Sequence, residues 1–352
     1  MAVSGAISTT VFRIDQIVSH AIRRCKVQPA LLDAETLEQC RDNLYLLTSS
    51  LANQGFPLWC LQDIVLGPIK GQALLTTPNG TVDIENANLR TVTITSGTEA
   101  SSAGGTAANA FDQTLLNACT QTSINGNISL TYSSDQQIVN VGVMSNVTST
   151  YTLVFERSTD AGSTWTTAYT VGAQSYTAGT WYYFDIDAQP STTDAFRVRE
   201  TGGATLDITQ LVFGSTPAEQ PIARLNKDDY FNLNDKFTQG RPLQYFCDRA
   251  RVAPVMMLWP VPDGNFYQVR LKRHRHIMDP GVYTNEIEVP QRWYDAIVWG
   301  LASMQAVELP QVSGEIAAYV DQRFRRALLE AQTEERDSAP IKYGPNISVY
   351  TN

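Results

Sequence analysis

The sequence predicts a multidomain α+β chain: a helical body carrying a β-hairpin, interrupted by an all-β sandwich. Three observations predict it. Charge thins out in the middle of the chain, the apolar period changes there from three-and-four to two, and the helical period returns near the end. Length agrees, since 352 residues with 43% hydrophobic side chains exceed the needs of one small core.

The charge break is sharp. Residues 91–219 hold eleven acidic side chains and three basic ones (Arg157, Arg197, Arg199), with no lysine, and so supply −8 of the formal −9. Such a shift marks an insert at 91–219 within a discontinuous host of residues 1–90 and 220–352. Ser96–Ala108 and Ser215–Pro221 read as its entry and exit, and residues 338–352 as an extended C-terminal tail. Net acidity argues against a dedicated nucleic-acid binder. Met1–Thr10 has neither a basic start nor an apolar core, so no signal peptide is expected. The long uncharged stretches are filled by Ser, Thr, Asn and Gln, which predicts no membrane span.

The first helix is predicted from Ile14, Ile17, Val18, Ala21, Ile22 and Cys25, which share one face, and Pro29 breaks it. Asp33 is placed to cap a second helix striped by Leu37, Cys40, Leu44, Leu47 and Leu51, and Gly55 ends it. In the insert, alternation recurs at Ile138–Val143, Tyr151–Phe155, Trp181–Ile186, Ala195–Arg199 and Leu206–Phe213, separated by turn clusters, as in a β-sandwich. Val255–Val261 and Phe266–Ile277 read as a hairpin across Pro262-Asp263-Gly264-Asn265. Pro290 suits the start of a third helix with Trp293, Ile297, Leu301 and Met304 on it. Ser313 is placed to cap a fourth, along which Ile316, Val320, Phe324, Leu328 and Ala331 align.

The flanking segments, about Thr10–Leu89 and Ile222–Tyr350, resemble the head-to-tail adaptor (connector) proteins of short-tailed phages. The resemblance is carried by Gly55-Phe56-Pro57-Leu58-Trp59, Gln239-Gly240-Arg241-Pro242-Leu243-Gln244-Tyr245, Leu258-Trp259-Pro260-Val261-Pro262, Val289-Pro290-Gln291-Arg292-Trp293 and the tail residues Ser348-Val349-Tyr350. The insert resembles discoidin-like (F5/8 type C, carbohydrate-module-like) jelly rolls at Asn109-Ala110-Phe111-Asp112, Ser158–Trp165, Ala195–Arg199 and Ile208–Leu211. The first resemblance implies a virion protein of the neck or tail, assembled in the host cytoplasm. It implies a ring of about twelve copies that joins a portal protein to tail nozzle or fibre proteins and forms part of the DNA channel.

The basic run on the Phe266–Ile277 strand puts Arg270, Lys272 and His274 on one face. It reads either as a DNA-channel stripe in transient, non-specific contact with DNA, or as a charged strand that blunts edge pairing. Trp181, Tyr182 and Tyr183 read as glycan or fibre contacts, or as sandwich core. Trp59, Trp259, Trp293 and Trp299 read as packing or subunit-interface residues, and Ile341, Tyr343, Ile347, Val349 and Tyr350 as portal-docking residues.

The histidines (His20, His274, His276) belong to no Ser/His/Asp, phosphate-loop or HExxH motif, and the carboxylate pairs Glu286/Glu288 and Asp185/Asp187 read as solvated strand faces. No catalytic, metal or cofactor site is expected. Cys25, Cys40, Cys60, Cys119 and Cys247 form no CxxC pair, so buried reduced thiols and a reducing compartment are expected. The leading functional expectation is the connector ring. The alternative is a carbohydrate-binding or fibre-attachment protein whose sandwich insert is the functional module.

Overall fold

The computed structural model describes residues 11–53, 58–186, 193–251, 254–265 and 267–335. The portal-docking candidates Ile341, Tyr343, Ile347, Val349 and Tyr350 lie outside them, as does most of Gly55-Phe56-Pro57-Leu58-Trp59. The helices are α1 (Ile14–Arg24), α2 (Ala34–Asn53), the short α3 (Lys227–Phe231), α4 (Tyr294–Glu308) and α5 (Gly314–Glu334).

The strands up to the middle of the chain are β1 (Leu61–Leu66), β2 (Leu74–Thr76), β3 (Thr81–Ile94), β4 (Thr98–Ser101), β5 (Cys119–Thr120), β6 (Asn127–Gln136), β7 (Asn140–Ser145), β8 (Ser149–Ser158) and β9 (Thr166–Tyr176). They continue as β10 (Trp181–Asp185), β11 (Thr193–Glu200), β12 (Asp207–Pro221), β13 (Ala223–Leu225), β14 (Gln239–Gly240), β15 (Gln244–Asp248), β16 (Val255–Trp259), β17 (Val261–Pro262) and β18 (Tyr267–Arg275). The chain forms two compact units, residues 1–61 with 275–352 and residues 62–274.

The first unit is helical, and the stripes read from sequence form its core. Ile14, Ile17, Ile22, Leu44, Ile297, Leu301 and Val320 are buried together. Trp293 is fully buried, edge-on to Trp59 at 5.2 Å, and its indole N–H donates to Glu335 at 3.1 Å. Trp299 lies half-buried on another face of α4, with the Arg24 guanidinium 4.3 Å above its ring. Asp33 accepts the Thr36 amide at 3.0 Å at the start of α2, and the Ser313 hydroxyl accepts that of Ile316 at the start of α5. Among the described residues no helix is long and apolar enough to cross a membrane.

The second unit is organised by a seven-stranded sheet of order β1-β18-β3-β12-β7-β10, with β5 beside β12. One end carries the sheet β4-β6-β11-β8-β9, and Leu130, Tyr151, Phe155, Phe196 and Phe213 fill the sandwich between them. The other end carries the sheet β13-β15-β16-β2 over Ile84, Leu89, Tyr245, Leu258 and Val269. Side-chain alternation puts both cores on the same face of the long sheet and leaves its opposite face for other residues.

Two expectations are corrected here. The charge boundaries at 91 and 219 are not breaks in the fold. Arg90 stands opposite Glu219 and Thr91 opposite Ala218 on the β3–β12 ladder, which runs on through both boundaries. Composition changes at one rung of a continuous sheet, because the host end and the sandwich end share its strands. Among the described residues the predicted hairpin does not form either. β16 pairs with β15 and β2, whereas β18 lies between β1 and β3. Pro260 and Pro262 lack the N–H that a continuing ladder needs, so the chain leaves one sheet before it enters the other.

All five cysteines are buried and unpaired. Burial pushes the Cys25 and Cys60 thiols up to about 11 and Cys40 up to about 12. A disulfide-exchange reagent at pH 8 should therefore find no reactive thiol in the native chain and five after unfolding in guanidinium. Rapid modification of any thiol under native conditions would contradict this packing.

The outer face of β8 and β11 supplies a pH-sensitive clamp. Arg197 donates to Glu156 at 2.5 Å and Arg199 at 2.8 Å. Burial pushes the Glu156 carboxyl up, but the hydrogen bonds from Arg199 and Arg197 outweigh it and hold it below the usual range. The stability it contributes is full above the unfolded value near 4.5 and is lost as pH falls through the lower folded value. Glu156→Gln should flatten the acid limb of a pH–stability curve, read by urea unfolding. An unchanged acid limb would show that the clamp is idle.

Candidate functional site

The face of the long sheet opposite its two cores is concave. Neighbouring strands stand about 4.8 Å apart, so residues three strands apart would lie roughly 14 Å from each other in a flat sheet. Yet Gln268 on β18 donates to Asn140 on β7 at 2.7 Å, and Arg90 on β3 donates to Asp185 on β10. The sheet therefore coils until side chains from its distant strands touch.

These contacts form a polar belt to which the six strands contribute. Arg270 on β18 approaches Asp63 on β1 at 3.6 Å and Glu219 on β12 at 3.4 Å. Arg90 lies between Glu219, at 3.5 Å, and Asp185, and Asn140 also donates to Asp185 at 2.7 Å. Arg90 is 8% exposed, so its charge is compensated by neighbours and not by bulk water.

Beside the belt, Val92, Met144, Trp181 and Val212 form a small apolar cluster, with Ile69, Leu115 and Tyr183 against it. Trp181 and Tyr183 stack at 5.4 Å with their planes 14° apart. Two glycines make room. A Cβ on Gly67 would come within 2.6 Å of Trp181 and of the Tyr183 hydroxyl, and one on Gly142 within 2.8 Å of the Tyr183 ring. Burial pushes the Tyr183 hydroxyl well above the ordinary phenol range. Tyr182 faces the other way, with its ring 4.7 Å from Tyr176 and its hydroxyl accepting the Thr177 amide at 3.0 Å.

The coil brings the two edges of the sheet, β1 and β10, to the two sides of one groove of about 420 Å³. Asp63, Ile64 and Val65 line one side. Trp181, Tyr182, Tyr183, Phe184 and Asp185 line the other, with Gln174 and Arg270. The DNA-stripe candidate Arg270 and the glycan candidates Trp181, Tyr182 and Tyr183 thus meet in one place. Lys272 faces Glu85 at 3.6 Å, and His274 is half-buried further along β18. Trp259 lies outside the groove and donates to the Asp235 carbonyl at 2.8 Å. Sequence reasoning missed Asp63, Gln174 and Arg90; no motif marks them, and only the coil assembles them.

A search of family models finds none that matches the chain, and no curated protein matches it. Solved structures do. A chitosan-binding module from a Paenibacillus chitosanase/glucanase is 20% identical over 34% of this chain and 95% of its own, with a TM-score of 0.30. A family 32 carbohydrate-binding module from C. perfringens, in complex with galactose, is 9% identical over 34% of this chain and 93% of its own, with a TM-score of 0.28. An F5/8 type C domain from Bacteroides fragilis is 10% identical over 33% of this chain and 89% of its own, also at 0.28. These neighbours are carbohydrate-binding and F5/8 type C modules, and each covers about a third of this chain.

Removing the hub of the belt should be costly. Arg90→Ala should lower the unfolding free energy by about 2 kcal/mol, because two carboxylates, Asp185 and Glu219, lose a buried cation. Asp185→Asn should couple to it in a double-mutant cycle followed by urea denaturation. Additive effects would show that the belt is a set of independent surface contacts.

Proposed function

We propose that this chain is a carbohydrate-binding structural protein without catalytic activity, whose β-sandwich unit holds the glycan and whose helical unit serves as a mount in a larger assembly. The observation that carries this reading is the groove between β1 and β10, where aromatic side chains meet two carboxylates, an amide and a guanidinium. Sugars need both elements: an apolar ring face to cover C–H groups and fixed donors and acceptors for hydroxyls. The volume of about 420 Å³ falls in the range of small-ligand sites, roughly 300–1,000 Å³. Each groove carboxylate already faces an arginine, Asp63 with Arg270 and Asp185 with Arg90, which suits an uncharged, hydroxyl-rich ligand.

A second reading, the head-to-tail adaptor ring of a phage virion, is favoured by a different observation. The helical unit exposes Tyr45, Leu46, Val307, Tyr319 and Leu329 to solvent, side chains that a ring subunit would cover against its neighbours. In that reading Arg270 and Lys272 would grip passing DNA only weakly, since each already faces carboxylates. The sandwich would then attach a fibre or a host glycan, which makes the two readings compatible.

Glycan-array screening of the full chain, followed by calorimetry, tests the first reading. A neutral saccharide should bind, and Arg270→Ala or Asp63→Ala should weaken binding about tenfold or more. No saccharide bound, or equal binding by both variants, would refute it. Mass photometry tests the second: a species near the 38.9 kDa monomer at all concentrations, alone and with portal rings, would count against a ring subunit.

A further inference from the structure

The four-stranded sheet β13-β15-β16-β2 has a second apolar site, away from the first groove. On its outer face Phe246, Met257 and Leu74 stand side by side, because Phe246 pairs with Met257 and Met257 with Leu74 across the two ladders. The opposite face, with Tyr245, Met256 and Leu75, is spent on the core. Over the outer row lies α3, whose Tyr230 ring stacks on Phe246 at 5.2 Å and 20°. Phe231, Phe237 and Leu74 remain 61%, 83% and 51% exposed. Together these side chains bound a groove of about 700 Å³.

Its rim is basic where the walls are aromatic. The Lys236 ammonium stands 5.8 Å from the Tyr230 and Phe231 rings, and that of Lys227 stands 6.0 Å from Phe231. Lys236 donates to the Phe231 and Leu233 carbonyls, and neither lysine forms an ion pair among the described residues. One carboxylate, Asp248, also lines the groove. Two ammonium groups against one lining carboxylate, above exposed phenyl rings, favour an occupant with an apolar anchor flanked by negative charge.

We propose that this groove docks an extended peptide segment of a partner protein, one that inserts a large apolar side chain beside a carboxylate. The phenyl rings bury the anchor, and Lys227 and Lys236 read the charge. The surface is independent of the glycan groove, so either assignment can fail alone.

Fluorescence anisotropy with the full chain tests it, using labelled Gly-Asp-Leu-Phe-Asp-Gly as the probe. Its lysine counterpart, an Ala-Ala core version and an unlabelled peptide of residues 336–352 serve as competitors. The acidic probe should saturate the site below about 1 mM, and the lysine and Ala-Ala versions should compete at least tenfold less well. Phe237→Ala should weaken the probe at least tenfold and Lys227→Gln up to about fivefold, in variants whose melting temperature is unchanged. Both side chains are exposed, so the fold tolerates these changes. No binding, equal competition by the lysine peptide, or indifference to both variants would overturn the proposal. Stronger competition by residues 336–352 would overturn it too, by assigning the groove to a second copy of this chain.

Discussion

The β3–β12 ladder is the constraint on which the rest of the second unit depends. Its strands are among the longest in the chain, fourteen and fifteen residues, and they join the sandwich end to the host end without a linker. Because both ends share hydrogen-bonded strands, the insert is held as a stiff extension of the host sheet and not as a module on a tether. A tethered domain would need only its own core; this one also needs its ladder partner to keep register with the host.

Coiling of that sheet has a chemical consequence. A flat sheet would leave Arg90, Gln268 and Arg270 as scattered surface polar groups. The coil gathers them with Asp63, Asn140, Asp185 and Glu219 into one belt, so charges that would otherwise be solvated compensate each other. The same coil stacks Trp181 on Tyr183 and leaves room there only because Gly67 and Gly142 lack side chains. The groove is thus a product of sheet curvature, with rigid walls supplied by backbone already committed to ladders, the arrangement that favours pre-organised recognition.

Much of the architecture is legible without the structure. The four long helices and their stripes follow from residue spacing, because a helix buries one face whatever its partner. Five alternating segments of the sandwich follow for the same kind of reason. Strands β1, β2, β3, β6 and β9 are less legible. Their polar positions, such as Asp63, Glu85, Asn88 and Thr170, break the expected alternation where a side chain meets a partner from another strand or the solvent. The composition step at 91 and 219 is real, yet it reports what each end faces, not where the chain breaks.

What the sequence by itself determined is local and one-dimensional: which segments are helical, which alternate, where a helix is capped, and which thiols lack a partner motif. These depend on neighbours within a few residues, so spacing suffices. What only the tertiary structure decided is which of those faces meet. Trp181, Tyr183 and Arg270 share a groove with Asp63 although more than two hundred residues separate Asp63 from Arg270. Pairing order and coil set that meeting, and both are cooperative properties of the whole sheet, with no signature in any single segment.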